Sequence, residues 1–506
     1  MSLPNSYLTH YFSKVPEKER KASAIAFFAS LDAVSEKSPE ITKSIVQELM
    51  DQRKFLKLIA SENYSSLPVQ LAMGNLLTDK YSEGYVEHRF YAGCDNVDSV
   101  ERQAEMLAKK IFGADHAYMQ PHSGSDANLV AFWAILHQRV QNKELDRLGK
   151  KSLDELSQEE YESLRKVLTN QTLMGMSLNS GGHLTHGYRH NVSSKFMRAV
   201  HYEVDPKSGL LDYDAIQKQI KKERPLILLA GYSSYPRLID FAKMRQMADS
   251  VGAVLMVDMA HFAGLVAGKA FTGDFDPIPH AHVVTSTTHK TLRGPRGGLV
   301  LCNNEFKEAV NKGCPLVLGG PLPHVMAAKA VAFKEVDTPD FCNYAFQVIK
   351  NAKALAERLV EKKVKVLTGG TDNHLIVFDV HATFGLTGRQ AENALRQAFL
   401  TVNRNSIPLD TLGAWYTSGI RIGTPAMTTL GMKEEEMRYI ADIIVEQLHA
   451  TKPGFNQKKQ EPSLTKVIIE EKILEKSQKK VKELLGSYPL YPELILEDSF
   501  VETYFG

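Results

Sequence analysis

The sequence predicts an α/β protein with a large, mostly parallel mixed sheet and a smaller C-terminal α/β domain. Short apolar, β-branched runs, Leu226-Ile-Leu-Leu-Ala, Ala253-Val-Leu-Met-Val and His282-Val-Val-Thr-Ser, recur about 20–30 residues apart, followed by Leu299-Val-Leu-Cys. Several of the gaps between them carry apolar residues at helical spacing, the pattern of strand and crossover-helix units. The composition, 43% hydrophobic and 24% charged over 506 residues, is that of a folded chain with two to four domains rather than a disordered one.

In chain order, residues 1–55 read as a helical arm, with helical spacing in Ser23-Ala-Ile-Ala-Phe-Phe-Ala and Ile41-Thr-Lys-Ser-Ile-Val-Gln-Glu-Leu-Met. Residues 56–330 form the large domain. Within it, residues 138–171 are dense in charge and carry two capping-box patterns, Ser152-Leu-Asp-Glu155 and Ser157-Gln-Glu-Glu160, which predict a helical surface insert. Residues 331–450 form the smaller domain, with a helix at Asn351-Ala-Lys-Ala-Leu-Ala-Glu-Arg-Leu-Val and a strand at His374-Leu-Ile-Val-Phe-Asp. Residues 451–506 hold nine lysines and nine acids, so this extension reads as a solvated amphipathic helix and not as an RNA-binding tail.

A net charge of +2 gives no support for a nucleic-acid partner. Cys94, Cys302, Cys314 and Cys342 are scattered, with no CxxC pair, which points to reduced thiols and to no metal site. The chain has no apolar run of bilayer-spanning length and its start has no signal-peptide core, so the expectation is a cytoplasmic protein with no membrane contact.

The chemistry concentrates in Thr285-Ser-Thr-Thr-His-Lys290-Thr-Leu-Arg-Gly-Pro-Arg-Gly-Gly298, a lysine just past an apolar strand and before a glycine-rich turn. A lysine there can be structural, but a desolvated one with a depressed pKa is what attack on an aldehyde cofactor requires. The segment lacks the GxxxxGK[ST] spacing of a nucleotide-phosphate loop. At the end of the preceding strand lies Asp258, placed to pair with a protonated pyridine nitrogen. Either residue alone is more often structural; an acid and a lysine on successive strand ends form a far more specific pair.

With these residues stand Leu58-Ile-Ala-Ser-Glu-Asn-Tyr64, Lys80-Tyr-Ser-Glu-Gly-Tyr85, Gln120-Pro-His-Ser-Gly-Ser125, Gly181-Gly-His-Leu-Thr-His-Gly187, Val257-Asp-Met-Ala-His261, Gly369-Gly-Thr-Asp-Asn-His-Leu375 and Ser418-Gly-Ile-Arg-Ile-Gly-Thr-Pro425. In this ordered set the chain resembles the serine hydroxymethyltransferases, fold type I pyridoxal-phosphate enzymes of the aspartate aminotransferase-like class. The resemblance implies that Lys290 bonds the cofactor aldehyde, Asp258 pairs with its ring nitrogen, His261 faces its phenolic oxygen and His183 stacks on the ring. Ser233, Thr287 and His289 join this set, and Ser123, Gly124 and Ser125 would take the phosphate in a turn before a helix. Tyr81, Gly319 and Gly320 would complete that site from the neighbouring subunit of a homodimer.

For the substrate, the resemblance implies Arg421 on the amino-acid carboxylate, with Ser61 and, from the neighbour, Tyr91. Glu83 would transfer protons, and Glu83, Leu178, Gly182, Leu184 and Asn373 would contact tetrahydrofolate. Phe90 stands where the family usually has a tyrosine, which removes one possible hydrogen bond to folate. The implied reaction is the reversible conversion of L-serine and tetrahydrofolate to glycine and 5,10-methylenetetrahydrofolate, with folate-independent aldol cleavage and alanine racemisation or transamination as side reactions. The same scaffold also serves threonine aldolases, aminotransferases and alanine racemases, and a retained fold could serve as a docking protein through the insert or the extension.

Overall fold

The structure, a computed structural model, describes residues 6–457 and 460–497. The rest of the expected arm and extension, residues 1–5, 458–459 and 498–506, lies outside the described residues. Seven strands form the main sheet: β1 (His116–Tyr118), β2 (Thr172–Met176), β3 (Arg198–Tyr202), β4 (Ile227–Gly231), β5 (Val254–Asp258), β6 (Val283–Thr287) and β7 (Gly298–Cys302), in the order β1-β7-β6-β5-β4-β2-β3. Strands β4, β5 and β6 are buried along their whole length, because helices cover both faces, which is why they read as unbroken apolar runs.

Only β7 runs against the others, antiparallel to both β6 and β1. The link from β6 to β7 is too short for the dozen or more residues that a parallel crossover needs, so the chain turns back directly. That reversal creates the tight loop carrying Lys290.

The smaller sheet is wholly antiparallel, ordered β8 (Leu375–Asp379), β10 (Gly419–Gly423), β9 (Asn403–Asn405). Its core includes Leu355, Leu359, Ile440 and Ile444 from two long helices, Pro339–Glu361 and Glu434–His449. Strand β10 carries Arg421, so this sheet delivers a cation to the region of the main sheet's strand ends.

Two local expectations are corrected. Ser152 starts only a single 3-10 turn, Leu153–Glu155, whereas Ser157 and Glu160 form a true capping box on the helix Gln158–Thr169. The extension is not simply a solvated helix. It opens with a hairpin, β11 (Thr451–Asn456) and β12 (Glu461–Ile469), held to the helix Gly388–Gln397 by Gln390 Nε2 donating to Ser463 O (2.6 Å) and Asn393 Nδ2 to Thr465 O (2.9 Å). Its helix, Glu471–Ser487, buries Val481 and Leu485 in the smaller domain's core. Beyond it, Arg53 of the arm donates to Leu490 O, Tyr491 O and Leu494 O at 2.8–3.0 Å, and Leu494 packs among the arm's helices. The extension thus ties the smaller domain to the arm.

Candidate active site

Parallel strands leave room at their carboxyl ends, and there a cleft of about 510 Å³ opens. Ser61, Ser123, His183, Ser233, Lys290 and Arg421 line it, together with Gly124, Ser125, Asp258, His261, Thr287 and His289. These lie far apart in sequence but share one pocket because β5 and β6 end there and β10 brings Arg421 to it from its middle residue.

Asp258, the last residue of β5, is buried and accepts three hydrogen bonds, leaving room on Oδ1 for one more. Its Oδ1 accepts the Ala260 amide (3.0 Å), and its Oδ2 accepts Asn128 Nδ2 (2.9 Å) and His186 Nε2 (3.2 Å). Burial alone would raise its pKa, but the hydrogen bond and charge of His186, with His183 and Asn128, hold it well below the usual carboxylate range. It is therefore an anion at every working pH. Lys290 follows β6 on the reversing loop; burial pulls its pKa down to about 8, against the opposing pull of Asp258 and with Arg421 and Arg296 adding to the fall. A sizeable neutral fraction exists near neutrality, as attack on an aldehyde demands.

The helix Gly124–Leu136 starts at Ser123, whose Oγ accepts the Asp126 amide (3.2 Å), so the first-turn amides of Gly124 and Ser125 stand at the cleft wall. A Cβ on Gly124 would come within 2.7 Å of the Thr287 methyl, which explains the glycine. His183 Nδ1 is held at 2.8 Å from Thr185 Oγ1, and burial lowers its pKa to about 4, leaving a neutral, flat ring at the cleft. His261 Nδ1 lies 3.2 Å from His374 Nε2, with both rings buried and kept neutral.

Arg421 donates from Nε to Asn403 Oδ1 (3.1 Å) and from Nη1 to Ser233 O (2.6 Å), and has no carboxylate partner among the described residues. A guanidinium buried with only neutral acceptors, its pKa drawn down to about 10 by burial, is a waiting site for a carboxylate ligand.

The residues fit pyridoxal 5'-phosphate by their donor set: an amine, a buried carboxylate, a flat neutral ring and helix-start amides share one cleft. His289 Nδ1 is also buried there with no partner, an orphan that a ligand atom could satisfy.

Other expected residues stand elsewhere. Tyr81, Glu83, Tyr91 and Gly320 gather in a second group: Tyr91 donates to Glu83 Oε2 (3.2 Å), the Tyr81 and Tyr91 rings are 5.2 Å apart, and a Cβ on Gly320 would touch the Tyr81 ring. Gly319 sits beside it, its carbonyl 3.4 Å from Cys314 Sγ. None of these lines the chain's own cleft. Leu178 is half-buried and Leu184 exposed, near Gly182, where a Cβ would collide with Met176 O. Asn373 is fully buried, its amide donating to Tyr232 Oη and Tyr235 O (both 3.1 Å) and accepting from the Leu375 amide (3.0 Å), so its side chain has no free group to offer.

Sequence reasoning missed Asn128, His186 and Arg296. Asn128 bridges Asp258 and Thr185 from the second turn of its helix, and nothing local marks it. His186 lies in the quoted Gly181–Gly187 motif without a role of its own there; the fold brings its ligand atom, that of His183 and the carboxylate of Asp258 from β5 within 4.8 Å of one another. Arg296 belongs to the quoted glycine-rich turn and lines the cleft.

Comparison with known proteins places this geometry. Residues 34–150 and 152–444 match a family model described as serine hydroxymethyltransferase. A protein of Treponema pallidum named serine hydroxymethyltransferase is 56% identical over 99% of this chain and 87% of its own length. Proteins of the same name from Mycolicibacterium smegmatis (54% identical, 94% of this chain, 95% of theirs) and Chlamydia muridarum (51%, 97% and 99%) are similar throughout.

Proposed function

The chain belongs to the serine hydroxymethyltransferase family, and from that premise we infer that its cleft interconverts L-serine and tetrahydrofolate with glycine and 5,10-methylenetetrahydrofolate, using pyridoxal 5'-phosphate. The observation that carries the reading is the convergence of Lys290, Asp258 and an unpaired Arg421 on one cleft.

When bound, pyridoxal 5'-phosphate supplies a sink for the electron pair left at the amino acid's Cα. Lys290 would hold the cofactor aldehyde through its neutral amine, at the place where the amine of serine would be received. Asp258, kept anionic, would hold a proton on the ring nitrogen, and His186 and Asn128 keep its carboxylate aimed. Arg421 would grip the serine carboxylate through guanidinium hydrogens not spent on Asn403 and Ser233, and so orient the substrate's Cα in the cleft. His183 covers the ring face. Thr287, His289, His261, Ser61 and Ser233 close the remaining walls, and Ser123, Gly124 and Ser125 take the phosphate.

The Tyr81, Glu83, Tyr91 and Gly319-Gly320 group serves the cleft of a second copy. Leu76, Phe90 and Leu316, which are exposed at 87%, 69% and 60%, supply the apolar surface that such a homodimer would bury. In that site Glu83, tied to Tyr91, moves the protons of the hydroxymethyl group, and tetrahydrofolate lies against Leu178, Gly182 and Leu184. Asn373 acts by fixing the neighbouring Tyr232 and Tyr235 rather than by touching the pterin with its amide. Folate-independent cleavage of 3-hydroxyamino acids and slow alanine racemisation or transamination follow from the same Cα chemistry. Four free thiols support the cytoplasm as its compartment.

The test is Lys290→Ala. The visible absorbance of lysine-bound cofactor and the folate-dependent formation of glycine should both vanish; full turnover by this variant would remove the core of the reading.

A further inference from the structure

The helix Pro323–Val336 places Lys329 in the interior with 1% of its surface exposed and no carboxylate paired to it among the described residues. An apolar side chain would be the ordinary choice there, since an ammonium is among the costliest groups to bury. Instead its three hydrogens are matched by three backbone carbonyls: Met119 O (2.6 Å), Gly298 O (2.7 Å) and Pro121 O (3.2 Å).

Those carbonyls belong to the ends of two neighbouring strands, β1 and β7, which pair antiparallel only from Tyr118 and Val300 onward. Met119 and Pro121 lead directly into the Ser123-Gly124-Ser125 turn, and Gly298 ends the loop that carries Lys290. Two glycines make the approach possible. A Cβ on Gly297 would sit 2.6 Å from Lys329 Cε, and one on Gly298 only 2.2 Å from Ser123 O. The Gly298 amide also donates to Pro121 O (2.9 Å), completing the seam.

We propose that Lys329 is a positioning residue that clamps the Ser123–Ser125 turn to the Lys290 loop and so sets the cleft's affinity for the cofactor's phosphate. It touches neither phosphate nor aldehyde. It acts by fixing where the turn's amides stand relative to the reacting lysine, so its loss costs phosphate recognition more than aldehyde capture. The inference rests on the phosphate reading given above for Ser123, Gly124 and Ser125.

The test compares the full-length apoprotein's dissociation constants for pyridoxal 5'-phosphate and for pyridoxal, the same aldehyde without phosphate. Wild type should prefer the phosphorylated form strongly. Lys329→Met should weaken pyridoxal 5'-phosphate binding by about tenfold or more while moving pyridoxal by less than about twofold. Gly297→Ala, whose backbone lies outside the left-handed region, crowds Lys329 from the other side and should shift the ratio the same way by a smaller factor. If Lys329→Met does not fold, Gly297→Ala decides alone. An unchanged ratio, with both ligands weakened together or neither, would overturn the proposal. A wild type indifferent to the phosphate would overturn it too, and the phosphate reading with it.

Discussion

A lysine must lose its proton before it can attack an aldehyde, so the pKa of Lys290 sets when this chain can load its cofactor. With that pKa lowered to about 8, the neutral share rises from about a tenth at pH 7 to about nine tenths at pH 9. Capture of pyridoxal 5'-phosphate by the apoprotein, followed by absorbance, should accelerate about tenfold over that range and then level. Asp258 pulls this pKa upward, so Asp258→Asn should move the midpoint below 8 even as it removes the catalytic electron pull. A midpoint that rises in the variant would contradict the assignment. Arg421→Ala should leave cofactor binding intact while lowering kcat/KM for serine by about a hundredfold, about 2.7 kcal/mol of lost transition-state binding. Much of the candidate cleft was legible in the residues: Asp258 and Lys290 stand where apolar runs end, and strand ends are where such sheets bind ligands. Asn128 and His186 were not, because a residue that aims another carries no sequence mark of its own; it is found only once β5 brings Asp258 within 3.2 Å of both.

Elements were legible where burial is symmetric and obscure where it is not. Strands β4, β5 and β6 are buried on both faces and read as apolar runs, so their places follow from the pattern alone. The hairpin β11–β12 was missed because only Ser463 of β12 is buried, and Pro462 and Lys466 break up the run that would mark a strand. Direction, too, is not written in an apolar run; the reversal of β7 shows only in the shortness of the link before it. Of the two capping patterns, only Ser157 to Glu160 is followed by enough helix-forming residues to propagate a helix, here Gln158–Thr169. Ser157→Ala should cost that helix about 1 kcal/mol, read as about fivefold faster amide hydrogen exchange within it. Serine turnover should not change, because the helix lies outside the cleft. A loss of activity in this variant would make the insert part of the active machinery rather than a surface addition.

At the scale of the whole molecule, the candidate site residues fall into two groups, of which only one lines the chain's own cleft. The cleft holds Lys290 and Arg421, whereas Tyr81, Tyr91 and Glu83 gather outside it. Sequence motifs supplied the membership of both groups but not their separation, which depends on how the chain packs. If two copies exchange the second group, a Lys290→Ala chain and a Tyr81→Ala chain, each poorly active alone, should complement when mixed. Random pairing makes half the dimers mixed, each with one intact site, so about a quarter of wild-type activity should return. No recovery in dimers shown to have exchanged would mean that each copy works alone.

The central claim is that this cleft passes a carbon from serine to tetrahydrofolate, and following L-serine labelled with carbon-13 at its hydroxymethyl carbon tests it most directly. With pyridoxal 5'-phosphate and tetrahydrofolate present, the label should move by nuclear magnetic resonance into the methylene bridge of 5,10-methylenetetrahydrofolate as glycine appears. Without folate, the transfer should nearly stop. Glycine formed equally fast with and without folate, with the label released as formaldehyde, would leave the cleft and its cofactor in place and make the protein an aldolase.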